Sequence, residues 1–403
     1  MKNNLSMIAI FLCSSLPLLA QIQTTNSTSH EKLVNRIVTS ITNVKAGELV
    51  FIYGGKESIE LMESIAEQVH KKGAVPQMIL QTEKNAKARI LAVPEGDLVA
   101  HHKAQHKLDN IPDLAIRFSP SFDGPAIEKQ ASPEYVAKKK QVRDQIHGKD
   151  GEPWFVNRDV LIQLPTSARA KRDNVDFSAY QKMVNEAIAA DYSLIAAKGK
   201  QLSTLLKNGK KLQVTSANGT NFSVNLDNRP VSINDGIISD EDLKSPVEQD
   251  RHIALPAGML ITTVNETSAT GKVTIPKDRI HDIDGIRDLQ NFSFDLVNGK
   301  IANFKSETHQ EFMVKKIGEF ESLNQFSGII IGFNPAMRVM QDFRPYEAEG
   351  HVALLIGGND LTGGKNTSKH SLIFHVEKAT VSIDGKVIIK DGKLMLDKLT
   401  SLE

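Results

Sequence analysis

The sequence predicts an α/β protein in which an N-terminal domain with a parallel sheet is followed by a larger mixed α+β domain. In the first part, apolar runs of strand length alternate with amphipathic helical segments, which is typical of a parallel sheet covered by helices. In the second part, short alternating segments are joined by Asn-Gly dipeptides, which favour β-hairpins. The length of 403 residues is sufficient for two domains, each with its own core.

The predicted parallel sheet begins with the apolar run at residues 49–53. Gly54-Gly55 follows it, and apolar residues then recur at three- and four-residue spacing over 57–70, which predicts a helix with one buried face. The glycine pair lacks the third glycine of a dinucleotide-binding loop, so a tight strand-to-helix turn is the preferred interpretation. Further strands are predicted at residues 75–80, 114–118 and 160–164.

The predicted domain boundary divides the mature chain into residues 31–170 and 171–403. A helical pattern over residues 180–206 opens the second domain. Asn-Gly dipeptides at 218–219 and 298–299 are flanked by alternating residues and predict two hairpin turns. Short strands are predicted at residues 211–215, 221–225, 273–275 and 292–296.

The first twenty residues resemble a secretory signal peptide. Lys2 precedes an apolar stretch over residues 7–19, which is too short to span a bilayer, and Leu18-Leu19-Ala20 is typical of a cleavage site. We therefore expect an exported protein, periplasmic or secreted, without a membrane span. Its mature chain is expected to start with a flexible segment over residues 21–30. An uncleaved anchor is the alternative.

Cysteine and charge usage exclude several classes of site and partner. The only cysteine, Cys13, lies within the predicted signal peptide, so disulfides, thiolate zinc sites and a cysteine nucleophile are excluded in the mature chain. The 49 basic residues nearly balance the 48 acidic ones. Nucleic acid is therefore not an expected partner.

Short segments in a common order along the chain resemble motifs of the aminopeptidase T (thermophilic aminopeptidase) family of metallopeptidases. They are GELVFIYGG (47–55), VLIQLPTSARA (160–170), DY (191–192), TSANGT (215–220), LPAGML (255–260), IIIGFNP (329–335) and the C-terminal run over 349–393. The resemblance implies an aminopeptidase T-like fold that removes N-terminal residues from peptides. It further implies a dinuclear metal site and, as is usual in that family, a homodimer.

The same resemblance indicates that several metal ligands are replaced. The family has a Glu after its "P-x-G" motif, where this chain has Met259, and a second Glu that falls on Gly328. Glu319 takes that second role only if the intervening loop is displaced. The His that opens the family's apolar strand is kept as His351.

The family's final "His-x-Asp" pair is also missing if its position is found by counting back from a later motif without a gap. Counting from Asp384-Gly385 puts the pair on Ser371 and Ile373. Isoleucine has no donor atom, and the thioether at the "P-x-G" motif binds hard cations poorly. Two adjacent divalent cations need several carboxylates, so this set of residues does not predict a dinuclear site.

A relocated one-metal site is the alternative. In a strand from Ser371 to Val376, His375 lies on the same face as the replaced positions, because side chains alternate. With His351 and a carboxylate from Glu347 or Glu349, it could form a mononuclear site suited to zinc or ferrous iron. A structural role in the strand is the other interpretation of His375.

The sequence therefore leads to two functional hypotheses. The first is an exported, leucyl aminopeptidase-like protein with an eroded dinuclear site that binds peptides or small ligands, with lost or weak peptidase activity. The second is a metal-dependent aminopeptidase or another one-metal enzyme, with zinc, cobalt, manganese or iron at His351 and His375. If the site is dead, no metal is expected.

One polar cluster falls outside the family motifs. Asp278, His281, Asp282 and Asp284 have side chains of the type that bind metals, but basic residues lie on both sides of them. We therefore expect a salt-linked surface loop at this place.

Overall fold

The computed structural model describes residues 31–146, 158–282, 285–319, 322–368 and 370–396. The predicted signal peptide and the segment 21–30 lie outside these residues. In the described part of the chain, no helix combines the length and the apolar character needed to cross a bilayer.

The strands of the described residues belong to three sheets. In chain order they are β1 (Leu49–Gly54), β2 (Val75–Leu80), β3 (Leu114–Phe118), β4 (Arg158–Ile162), β5 (Lys211–Thr215), β6 (Asn221–Asn225), β7 (Val231–Asn234), β8 (His252–Leu255), β9 (Met259–Thr263), β10 (Thr270–Asp282), β11 (Gly285–Val297), β12 (Lys300–Lys305), β13 (Phe326–Gly332), β14 (Val352–Gly357), β15 (Ser371–Val376), β16 (Thr380–Ile383), β17 (Lys386–Lys390) and β18 (Lys393–Leu394).

Along the chain, the helices lie mainly in the N-terminal half, and one lies shortly before β13. They are α1 (Ile59–Lys71), α2 (Glu83–Leu91), α3 (Leu98–Asp109), α4 (Gly124–Glu128), α5 (Pro133–Ile146), α6 (Ser167–Arg172), α7 (Phe177–Ile188), α8 (Tyr192–Asn208) and α9 (Gln310–Glu319). A further helical segment at 31–41 ends in a π-helix, Ile37–Ile41.

The first sheet is parallel and has the order β2-β1-β3-β4-β8. Val50 and Ile52 of β1 enter the main core, whereas Phe51 and Tyr53 pack in a small cluster on the opposite face. Burial on both faces is typical of a parallel sheet. The predicted α/β fold with a parallel sheet is confirmed, and its fifth strand comes from the C-terminal half of the chain. The division into two domains stays a prediction.

The helical pattern predicted over residues 180–206 forms two helices, α7 and α8, instead of one. The side chain of Asp191 accepts a hydrogen bond from the backbone N–H of Ser193, 2.9 Å away, and so caps the start of α8. The prediction of one continuous helix was wrong, because the apolar periodicity continues across this cap while the backbone does not.

The second sheet is antiparallel and has the order β12-β11-β10-β6-β5-β16-β17-β18. The predicted turn between β11 and β12 is confirmed, with positive φ at both Asn298 (51°) and Gly299 (78°). Two such residues in succession form the tight hairpin turn whose twist matches antiparallel strands.

The third sheet carries the candidate site and has the order β15-β14-β13-β9-β7, with all neighbours antiparallel. Strands β13 and β14 are buried along their whole length. The main hydrophobic core extends over both halves of the chain and includes these two strands.

Candidate functional site

Two buried histidines meet at one end of the third sheet. His351 directly precedes β14, and His375 lies in β15 opposite Ala353. The Nε2 atom of His351 is 2.7 Å from Nδ1 of His375, and the ring centroids are 5.0 Å apart. In this contact one ring donates and the other accepts, so a neutral pair satisfies both atoms.

Tyr346 and Asp278 hold His375 from two directions. The ring of Tyr346 lies parallel to the imidazole of His375, with centroids 5.4 Å apart. Asp278 accepts the backbone N–H of His375 at 2.8 Å and that of Arg279 at the same distance. Burial raises the pKa of Asp278 to about 7.

The expectation that Asp278 lies in a salt-linked surface loop was wrong. Asp278 is fully buried within β10, which packs against β15. Among the strands that the structure describes, β15 is at the edge of its sheet, so the N–H of His375 points away from β14 and the carboxylate of Asp278 supplies its acceptor. The side chains of His281 and Asp282, and the whole of Asp284, lie outside the described residues.

A buried guanidinium sets the charge of the site. Arg344 is paired through Nε with Glu377, 3.0 Å away, and lies 4.0 Å from Asp278. Burial and this positive charge together lower the pKa of His351 to about 4. His351 is therefore neutral near pH 7.

The two upstream glutamates have different surroundings. Glu347 is buried, and burial raises the pKa of its carboxyl, while Arg169 acts in the opposite direction. Glu349 is exposed and forms an ion pair with Lys198 at 2.5 Å. Glu319 ends helix α9. The structure thus brings His351 and His375 into contact, whereas Glu349 is held by a partner on α8.

The positions counted for the family ligands do not meet at His351. Gly328 and Ile373 both pair with Leu355, which is four residues along β14 from His351, or about 13 Å at 3.3 Å per residue. Ser371 pairs with Gly357, still further along. By contrast, Met259 pairs with Gly332, at the same end of the sheet as His351.

Glu377 was missed by the sequence reasoning. His375-Val376-Glu377 has the same spacing as the family's His-x-Asp pair, displaced by four residues (375 − 371 = 4) from the positions reached by counting. The count assumed no gap before Asp384-Gly385, so a segment between β15 and Asp384 that is four residues shorter than in the family would account for the difference. The spacing itself was the available signal, because an acidic residue follows His375 at the second position.

The described residues do not fit a pair of cations. Among them, no three His, Cys, Asp or Glu side chains form a group that could hold a metal ion. Two nitrogens bound to one tetrahedral zinc at about 2.0–2.1 Å would be about 3.4 Å apart, against the 2.7 Å between His351 and His375. Arg344, which disfavours the imidazolium, disfavours a metal cation for the same electrostatic reason.

Two cavities are lined by Arg344, and one of them is also lined by His375. The one that His375 lines has a volume of about 220 Å³ and is lined by Gln163, Arg169, Arg172, Asp173, Tyr180, Val184, Pro256, Arg279, Met337, Asp342, Phe343, Arg344, Pro345, Tyr346, Glu347 and His375. The second, of about 260 Å³, lies beside Val376 and Glu377. We call the first one the arginine cavity, because four arginines line it.

Comparisons with known proteins agree on the type of fold. A family model described as thermophilic metalloprotease (M29) matches residues 26–321. Wild-type AmpT from Thermus thermophilus is similar with a TM-score of 0.67 and 13% identity, over 92% of this chain and 99% of that chain. A 2,5-dihydroxypyridine dioxygenase from Pseudomonas putida KT2440 is similar with a TM-score of 0.58 and 15% identity, over 92% and 97%. At these identities the likeness shows the fold alone. No curated protein matches the chain.

Proposed function

Because the chain belongs to the thermophilic metalloprotease (M29) family, we propose that it is an exported peptidase-like protein whose two-metal site is eroded. It binds peptides or small ligands in the arginine cavity, and its peptidase activity is lost or weak. Membership of a metalloprotease family supports the peptidase-like character and the ancestral use of divalent metal ions.

The contact between His351 and His375 carries this proposal. Each imidazole uses the nitrogen that faces the other ring in a hydrogen bond, so these atoms are occupied without a metal. The carboxylates around them are also engaged: Asp278 by two backbone N–H groups, and Glu377 by Arg344. A pair of cations would need these groups to leave their partners.

Export and self-association form part of the same proposal. The signal-like start supports cleavage after Ala20 and release to the periplasm or the medium. N-terminal sequencing of the protein recovered from each compartment tests this, since an intact Met1 on membrane-bound protein contradicts it. Family resemblance supports a homodimer, which sedimentation analysis of the purified protein would detect.

A one-metal enzyme is the second candidate, and two observations favour it. His351 and His375, predicted from the sequence to share a site, are in contact, and Glu377 follows His375 at the spacing of the family's last ligand pair. The similar dioxygenase structure supports a wider range of reactions for this fold than peptide hydrolysis. In this alternative, Glu377 turns from Arg344 toward the histidines and completes a site for zinc, cobalt, manganese or iron.

Metal content and peptidase turnover separate the two candidates. Tightly bound metal is measured on the purified protein, and aminoacyl-anilide hydrolysis is assayed with and without added zinc, cobalt or manganese. His351→Ala tests the site, and His101→Ala, on an exposed face of α3, is the matched control. We expect no stoichiometric metal and little or no turnover. A stoichiometric metal lost in His351→Ala and kept in His101→Ala overturns the eroded-site proposal.

A further inference from the structure

Arg344 is a buried cation with an incomplete set of partners. Its side chain is only 5% exposed, and Nε is paired with Glu377. Its Nη1 atom is buried and has no hydrogen-bond partner among the residues that the structure describes. A buried guanidinium N–H without an acceptor is unfavourable, so this atom favours an acceptor supplied by a ligand.

Arg169 repeats this arrangement on another wall of the arginine cavity. Its Nη1 donates to the side chain of Gln163, while Asp173 lies 3.7 Å from Nε, beyond hydrogen-bond distance. The Nε atom is buried and likewise has no hydrogen-bond partner within the described ranges. Two guanidinium groups on one cavity therefore each present an unused donor.

The other two arginines of the cavity are already neutralised. Arg279 donates from both Nε and Nη2 to Asp288, at 2.7 and 2.9 Å, and also lies 3.3 Å from Asp342. Arg172 is paired with Asp173 at 3.2 Å. Among the described residues, the cavity's buried guanidinium N–H groups without an acceptor therefore belong to Arg344 and Arg169.

The remaining walls favour a singly charged ligand with an apolar part. Asp173, Asp342 and Glu347 also line the cavity and disfavour a doubly charged anion such as phosphate. Apolar wall is contributed by Val184, Pro256, Met337, Phe343 and Pro345. A volume of about 220 Å³ is below the ~300–1,000 Å³ of sites for drug-sized ligands, so a ligand of one or two residues fits best.

We propose that the arginine cavity binds the carboxylate of a small organic acid or of a peptide's C-terminal residue, with Arg344 and Arg169 as donors. A guanidinium matches the planar, two-oxygen geometry of a carboxylate. The inference rests on the proposed function, which makes this cavity the ligand site, and it adds the chemical group that is recognised.

Isothermal titration calorimetry on the full mature protein tests the inference. The probes are the dipeptide leucyl-phenylalanine, its C-terminal amide, 3-phenylpropionate and inorganic phosphate. We expect the free acid to bind at least about tenfold more tightly than the amide, because charge-assisted hydrogen bonds are lost in the amide. Arg344→Gln should remove this preference, whereas Arg89→Gln, an exposed arginine on α2, should keep it.

The outcomes distinguish the carboxylate inference from the proposal of a peptide ligand. Equal binding of acid and amide overturns the carboxylate inference and leaves peptide binding intact. Binding of 3-phenylpropionate alone supports the carboxylate and contradicts a peptide ligand, and tighter binding of phosphate overturns the assignment to a carboxylate. No binding by any probe overturns both proposals. Should Arg344→Gln fail to fold, Arg169→Gln replaces it, with circular dichroism as the check on folding.

Discussion

The two ends of the third sheet have opposite character. At one end, Gly328, Leu355 and Ile373 form a row across β13, β14 and β15 that offers no side-chain donor atom. At the other end, His351 and His375 meet beside Asp278 and Arg344. Counting along the family motifs puts Gly328, Ser371 and Ile373 toward the first end, whereas Met259 and both histidines lie at the second. A motif transferred by counting is therefore reliable only where the connecting segments keep their length.

The largest effect is expected from placing the family's carboxylate at the apolar end. In Gly328→Glu, the new Cβ would lie 2.7 Å from the carbonyl oxygen of Thr262, in a strand that is wholly buried. We expect the free energy of unfolding to fall by about 3 kcal/mol or more, measured by urea denaturation. Met259→Glu introduces the same side chain at the partly exposed start of β9 and should cost under about 1.5 kcal/mol. A stable Gly328→Glu protein that binds zinc would show that position 328 is the place of the family's second glutamate, as the count without a gap has it.

A smaller loss is expected at the polar end when Asp278 is removed. Asp278→Ala leaves the backbone N–H groups of His375 and Arg279 without their acceptor. Because an unsatisfied buried donor costs about 1–3 kcal/mol, we expect a loss of about 2–3 kcal/mol in the same urea experiment. A loss below about 0.5 kcal/mol would show that Asp278 does not support this end of the sheet.

The pH dependence of an Asp278→Asn variant sharpens this result. Burial raises the pKa of Asp278 to about 7, so between its ordinary value and pH 7 the folded protein holds a proton that the unfolded chain releases. Stability from this group therefore falls as pH rises through that interval. His351, whose pKa is lowered to about 4, acts in the opposite sense but is present in both proteins. The Tm of Asp278→Asn relative to the wild type should rise between about pH 5 and about pH 7; a constant difference contradicts the buried carboxyl.

The smallest effect is expected at Glu349. Its ion pair with Lys198 is about one-third exposed on both sides, so Glu349→Gln should change the free energy of unfolding by less than about 1 kcal/mol. Calorimetric binding of leucyl-phenylalanine should be unchanged. Loss of ligand or metal binding in this variant would bring Glu349 back into the site.

Local patterns were enough for the elements of the first sheet but not for the contacts of the site. The apolar run at 49–53 and the helical spacing over 57–70 predicted β1 and α1, because one buried face leaves a period in the sequence. Strand alternation suggested that His375 could face His351, a contact between neighbouring strands. The burial of Asp278 left no such signal, because it depends on β10 crossing an edge strand more than ninety residues later (375 − 278 = 97).

The fifth strand of the parallel sheet has a consequence for the order of folding. β8 begins ninety residues after β4 ends (252 − 162 = 90). A nascent chain that stops short of Leu255 therefore leaves the β4 edge of the parallel sheet unpaired. An unpaired strand edge of this kind can pair with strands of other chains. Completion of the N-terminal layer is thereby delayed until well over half the polypeptide has been synthesised.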